Sequence, residues 1–204
     1  MFFDIGANIG KWSLANSSVC DKIIAVEASP YTYNLLVNKC QQNNKIVYEN
    51  YAVCNHTEGS ITFYEEQNGN TLSTINKQWL TSSESRFYNT AYREITVRTI
   101  TIDALIEKYG IPSLIKIDVE GGEYECISSL TQKIDMLCFE WASEVNPISF
   151  NCLDYLVGLG FSQFYLQFSD EYTFRPTEFY DIHTIKEKLN RTIPKIDWGM
   201  IWCK

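Results

Sequence analysis

The chain has 204 residues, 45% of them hydrophobic and 21% charged, which suits one compact domain and leaves little room for a second with its own core. No apolar run approaches the ~20 residues that span a bilayer, and the first residues lack the basic start of a secretory leader, so a soluble, cytoplasmic protein without membrane partners is expected. A net charge of −8 repels phosphate backbones and argues against nucleic acid as a partner. Apolar periodicity then predicts a strand at Phe2 to Ile5, a helix from Ile9 to about Ser17, a strand at Ile23 to Glu27 and a helix from Pro30 to about Gln42. Strands follow at Ile46 to Asn50, at Ser60 to Tyr64 after the turn "HTEGS", and around Ile95 to Arg98. Asp103 to Tyr109 reads as a helix, Leu114 to Asp118 as a buried strand, Glu123 to Leu130 as a helix and Met136 to Glu140 as a strand. A helix near Phe150 to Leu159, a strand at Gln163 to Phe168 and a closing strand at Trp198 to Cys203 complete the chain.

Alternating helices and nearly continuous apolar strands predict a doubly wound α/β sheet over residues 1–204, with the ligand outside the carboxyl ends of the strands. Those ends carry Asp4, Glu27, Asn50, Asp118 and Glu140, four of them acidic. Several carboxylates around one crevice cost electrostatic energy unless a ligand or hydrogen bonds use them. Gly6 and Gly10 bracket the first strand-to-helix turn, where missing side chains let backbone N–H groups come close to a ligand. Glu27 at the next strand end is placed to accept both hydroxyls of a ribose. The dinucleotide pattern G-x-G-x-x-G is not met, because Asn8 and Lys11 stand where it needs glycine. A ribose without a pyrophosphate fits better, and S-adenosylmethionine has that shape; Asp4 either pairs with its ammonium or holds the turn.

Seven cysteines, an odd number without a CxxC pair, read as buried reduced thiols. Sequons at Asn16, Asn55 and Asn190 carry no weight without a secretory signal. The polar and aromatic stretch from Glu65 to Arg93 is too long for a routine connection and reads as a substrate lid, with Trp79, Phe87, Tyr88 and Tyr92 suited to stacking on a sugar.

In chain order, "FDIGANIGKWS", "VEASPYTYNLLVNKCQQN", "ENYAVCNHTEGSITFY", "TLSTI", "VRTITIDALI", "LIKIDVEGGEYECI" and "MLCFEWA" resemble the FkbM family of S-adenosylmethionine-dependent methyltransferases, over about Phe2 to Trp141. The resemblance implies a class I methyltransferase (Rossmann-like) sheet, mostly parallel with an antiparallel last strand, and O-methylation, often of sugars or secondary metabolites. It makes Asp4, Gly6, Ala7, Asn8 and Gly10 the methionine-side loop, Glu27 the ribose ligand, and Ala28, Ser29, Asn50, Tyr51 and Ala52 the adenine surroundings. It places Lys116, Asp118 and Glu120 beside the methyl group, with Glu140 at the next strand end; Ser73, Trp79 and Trp141 join Glu120 as expected substrate contacts. The family's Glu-Pro-x-Pro is here Glu27-Ala28-Ser29-Pro30, which reshapes the adenine wall and keeps the ribose acceptor. Family members usually carry a helical segment before the first strand, so a domain of a longer protein is expected, with a glycosyltransferase as its upstream neighbour.

An alcohol needs a base to become a nucleophile, and with two histidines in the chain carboxylates are the candidates. Asp118 is the first choice and Glu140 the second, with Lys116, two residues before Asp118 on the same strand face, to orient the carboxylate or stabilise the oxyanion. Asp118, Glu120 and Glu140 together could ligate a metal, but a sulfonium methyl is already activated, and no metal is expected. The expected acceptor is a sugar or glycan hydroxyl. The alternatives are a small secondary metabolite or a protein as acceptor, and a non-catalytic cofactor-binding scaffold.

Overall fold

In the computed structural model, which describes residues 1–56, 59–66 and 72–204, the apolar runs become one seven-stranded sheet and a three-stranded one. The elements are β1 (Phe2–Ile5), α1 (Lys11–Asn16), β2 (Ile23–Val26), α2 (Pro30–Cys40), β3 (Ile46–Glu49), β4 (Ala52–Val53), β5 (Ser60–Glu66), α3 (Lys77–Thr81) and β6 (Tyr92–Ile100). They continue as α4 (Ile102–Tyr109), β7 (Leu114–Ile117), α5 (Glu123–Ile127), β8 (Leu137–Ala142), a 3₁₀ turn at Ser143–Val145, α6 (Asn146–Gly158), β9 (Phe164–Phe168), α7 (Ile182–Asn190) and β10 (Trp198–Cys203).

The large sheet runs β3-β2-β1-β7-β8-β10-β9. Its first five strands pair in parallel, and β10 pairs antiparallel with both β8 and β9. The expected antiparallel last strand is therefore present; it enters between β8 and β9 rather than closing an edge. Strand order reverses between β1 and β7, the position at which a doubly wound sheet opens a crevice.

Side chains alternate across each strand, and here both sides are buried. Phe3, Ile5, Ile24, Val26, Ile115, Ile117, Leu137 and Phe139 point to the main core, where α4, α5, α6 and α7 supply Leu105, Ile127, Leu153 and Leu189. On the opposite face Ile23 and Ala25 meet Leu36 and Cys40 of α2, while Leu114, Cys138 and Trp202 meet Trp12 of α1. Parity places Asp4, Lys116 and Glu140 on this second face, as a polar row in an apolar layer.

Helix ends follow local chemistry. Ser29 caps α2 by accepting from Thr32 N, with Pro30 at the first helical position, and Thr101 caps α4 by accepting from Ala104 N. Gly10 precedes α1 at φ 81, and a Cβ there would lie 2.4 Å from Cys40 Sγ, so this position needs glycine for its backbone and for the approach of α2.

The stretch between β3 and α4 departs most from the sequence reading. Val53 and Ala52 form β4, which pairs with β6, and β5 and β6 form a hairpin, making a separate sheet of order β4-β6-β5. Neither β4 nor α3 is evident from periodicity, since one has two residues and the other five. Part of the predicted "HTEGS" turn, and residues 67–71 of the predicted lid, lie outside the described residues. All seven cysteines are free, six of them buried and Cys20 half-buried. Among the described residues no helix is long and apolar enough to cross a membrane.

Candidate active site

A cavity of about 250 Å³ opens outside the carboxyl ends of the parallel strands. Its wall includes Gly6, Ala7 and Asn8 after β1, Glu27 and Ala28 after β2, Tyr51 and Ala52 after β3, and Asp118 and Glu120 after β7. Lys116 and Glu140 reach it from within β7 and β8, and Ser73, Phe63 and Ile75 reach it from the three-stranded sheet and the segment before α3.

The turn after β1 does not offer its amides to a ligand. Gly6 N and Ala7 N both donate to Val26 O, Asn8 N donates to Glu27 Oε2 at 2.9 Å, and Ile9 N donates to Asn8 Oδ1 at 2.7 Å. This corrects the expectation of free N–H groups there. Gly6 is required by a protein neighbour, because at φ 73 a Cβ would lie 1.7 Å from the Asp118 carbonyl oxygen. Glu27 ties the two loops together, since its other oxygen accepts from Ser29 N at 2.9 Å. Burial pushes the Glu27 carboxyl up to about 7, against the lowering effect of those two N–H donors.

Asp4 sits behind this wall. It is fully buried, Ser13 Oγ donates to its Oδ2 at 2.6 Å, and its Oδ1 has no hydrogen bond, although Lys116 Nζ stands 3.5 Å away. The parallel register puts Asp4 directly beside Lys116. Lys116 Nζ also lies 3.0 Å from Asp118 Oδ2 and donates to Gly6 O at 3.1 Å. Burial works against the Lys116 charge, but Asp118 and Asp4 more than offset it and hold its pKa above the ordinary lysine value. Of the two roles foreseen for Asp4, holding the turn is the one its position serves.

Asp118, Glu120 and Glu140 bring carboxylate oxygens within 4.8 Å of one another. Burial first, then the charge of Asp118, pushes both Glu120 and Glu140 well above the usual carboxylate range. Glu120 is held in a left-handed turn at φ 56, and its Oε2 accepts from Trp79 Nε1 at 3.1 Å. Two features of the sequence motif "DVEGGE" explain that turn. Glu123 Oε1 accepts from Val119 N and Gly121 N, both at 3.2 Å, and Gly121 follows at φ 86 under the Trp79 ring, where a Cβ would lie 3.2 Å from it.

Several expected contacts fall elsewhere. Trp141 is 1% exposed on the main-core face, with its indole N–H on Gln167 O at 3.1 Å, because alternation along β8 points it away from Glu140. Trp79 is buried beside Phe87 and bears on the site through Glu120 and the Gly121 turn beneath its ring. Ser29 caps α2 and donates to Glu65 Oε1, and Asn50 donates to the Glu27 and Ala28 carbonyl oxygens; both shape the wall from outside it, as does Gly10. Tyr88 of the predicted lid is exposed, and Tyr92 and Phe87 pack around Tyr64 and Trp79. His183 is exposed, 3.3 Å from Glu187. Sequence reading missed Asp170, Tyr172 and Trp198, which line the cavity from the far end of the chain.

This donor set fits S-adenosylmethionine. Val26, Ala28, Ala52, Val53 and Phe63 give an apolar slot for a purine, the Glu27 carboxylate beside it can accept from a ribose, and the polar row of Lys116 and Asp118 lies beyond. Among solved structures, precorrin-6y C5,15-methyltransferase from Geobacter metallireducens GS-15 is similar at 10% identity and TM-score 0.52, over 100% of this chain and 78% of its own. Precorrin 8W decarboxylase from Methanobacterium thermoautotrophicum is similar at 10% identity and TM-score 0.50, over 100% and 80%. At such identity these likenesses show the fold, that of a class I methyltransferase. No curated protein sequence matches. The sequence profile of the methyltransferase FkbM domain matches residues 4–176, from the middle of β1 to beyond β9, past the point at which the quoted motifs end. A match over most of the chain, on a fold and cavity of this kind, shows that the protein belongs to the FkbM family of methyltransferases and that its cofactor is S-adenosylmethionine.

Proposed function

We propose that this methyltransferase acts on a hydroxyl of a sugar or glycan, with Asp118 as the general base. The supporting observation is the convergence of the Asp118, Glu120 and Glu140 carboxyls at the end of the cavity away from the apolar slot, with Lys116 as the adjacent cation. S-adenosylmethionine supplies an activated methyl group on a sulfonium. Asp118 takes the acceptor hydroxyl's proton as the oxygen attacks, and Lys116, fixed on Gly6 O, keeps the carboxylate in one orientation. Glu120 and Glu140, which burial makes reluctant to ionise, hold neighbouring hydroxyls by hydrogen bonds. Seven free thiols suit the reducing cytoplasm.

The test is transfer of radiolabelled methyl to a panel of methyl glycosides of common hexoses and deoxyhexoses. Wild-type turnover is expected, and Asp118→Asn should lower kcat by about 10²- to 10⁴-fold while S-adenosylhomocysteine affinity changes little. A kcat within threefold of wild type in Asp118→Asn would remove Asp118 as the base. No transfer to any glycoside would sink the sugar reading.

A further inference from the structure

Sheet order divides the cavity. Glu27, Ala28, Tyr51 and Ala52 follow β2 and β3 on one side, whereas β8 and β9 end and β10 begins on the other, several strands away at ~4.8 Å per strand. On that second side the wall is made by Glu140, Asp170, Tyr172 and Trp198. Trp198 shares the Glu140 face, because Glu140 pairs with Met200 two residues further along β10. After β9 the chain turns sharply at Ser169, which has φ 60 and donates its N–H to Trp198 O at 2.8 Å, and this turn brings Asp170 back over the cavity. Neither the Asp170 carboxylate nor the Tyr172 hydroxyl has a hydrogen-bond partner among the described residues. Asp170, Tyr172 and Trp198 therefore line the cavity with no side-chain hydrogen bond to another described residue, and Tyr172 rests on the Trp12–Trp202 cluster behind it.

The segment that carries them is pinned from the other end of the chain. Asn16, 1% exposed at the end of α1, donates through Nδ2 to Tyr172 O at 3.0 Å and to Trp12 O at 2.9 Å. Its Oδ1 accepts from Arg175 Nη2 at 2.6 Å, and Arg175 Nη1 donates to Phe174 O at 2.6 Å. The guanidinium lies over the Trp202 ring at 5.3 Å and over the Trp12 and Phe2 rings at 5.9 Å. One side chain thus fixes both sides of the Tyr172–Arg175 turn to the helix that follows the cofactor loop.

Building on the reading that the acceptor is a sugar, we propose that Asp170, Tyr172 and Trp198 form the acceptor subsite. The Asp170 carboxylate accepts from a pyranose hydroxyl, the rings of Tyr172 and Trp198 cover the apolar face of the sugar, and Asn16 and Arg175 are positioning residues for Asp170 and Tyr172. A carboxylate beside aromatic rings is what a pyranose needs, since its hydroxyls lie around the ring and its C–H groups on the faces.

The experiment uses the same glycoside panel, with S-adenosylhomocysteine titrated by calorimetry. Asp170→Ala should raise KM for the glycoside at least tenfold, leaving kcat within threefold and the S-adenosylhomocysteine Kd within twofold. Asn16→Ala should shift KM in the same direction and speed hydrogen exchange in residues 169–175. Asn16→Asp, which keeps an acceptor for Arg175, should recover part of the KM. An unchanged KM in Asp170→Ala, or an equal loss of S-adenosylhomocysteine affinity, overturns the subsite and leaves the sugar reading standing. A wild type that binds S-adenosylhomocysteine and methylates no glycoside overturns the sugar reading, and the subsite with it.

Discussion

Glu27 joins structure to ligand through one carboxylate. Its oxygens hold Asn8 N and Ser29 N, so it fixes the loops after β1 and β2 before any ligand arrives, and burial lifts its pKa to about 7. Because the folded value lies above that of an unfolded glutamate, this group stabilises the folded protein at low pH, and the contribution is lost as pH rises through about 7. Ribose hydroxyls donate to the ionised form and pull the other way. S-adenosylhomocysteine affinity should therefore rise about eightfold from pH 6 to pH 7.5, and in Glu27→Gln it should be weaker and flat across that range; calorimetry at a series of pH values decides it. Glu27, Lys116, Asp118 and Glu140 were legible in the sequence because they stand at or near strand ends. The misplacement of Trp141 was legible too, since parity on β8 alone sets it opposite Glu140. Asp170 and Tyr172 were not, as nothing in their neighbourhood marks a loop that returns over a cavity built mostly from residues 5–140.

Among the elements, the three-stranded sheet and α3 form the part of the molecule that periodicity describes least well. Apolar contacts join them to the large sheet, through Val53 in the main core and through Trp79 and Leu80 against Ala142, and a buried ion pair adds to these. Arg86 donates from Nε and Nη2 to the two oxygens of Glu144, both at 2.6 Å, and from Nη2 to Asp197 O at 3.0 Å. The Glu144 side chain is 2% exposed, and its pKa stays below the usual range because the Arg86 bonds outweigh the cost of burial. Arg86→Ala would leave that carboxylate buried and unpaired, so a loss of about 3 kcal/mol is expected in urea unfolding, with faster hydrogen exchange around α3. A change below about 0.5 kcal/mol, typical of a surface pair, would show that the contact does not fasten the element. Such a pair joins residues 58 apart in sequence and leaves no local pattern.

At the scale of the whole molecule, one continuous sheet with cores on both faces predicts a single cooperative unfolding transition, with far-ultraviolet dichroism and tryptophan fluorescence coinciding. Two separated transitions would show that the three-stranded sheet melts independently. The net charge of −8 predicts no retention of RNA or duplex DNA in gel shifts at low salt. What the sequence determined by itself is what short-range periodicity and backbone chemistry control: most of the strands and helices, though not β4, α3 or α7, the face each strand residue takes, the glycine turns and the acidic strand ends. Only the tertiary structure decided that β10 enters between β8 and β9, that the turn amides are used up within the protein, and that Asn16 holds the Tyr172–Arg175 turn. The physical reason is range. Periodicity acts over two to four residues, whereas the cavity gathers groups more than 100 residues apart, and their meeting depends on strand order and on side-chain hydrogen bonds formed only once the sheet is complete.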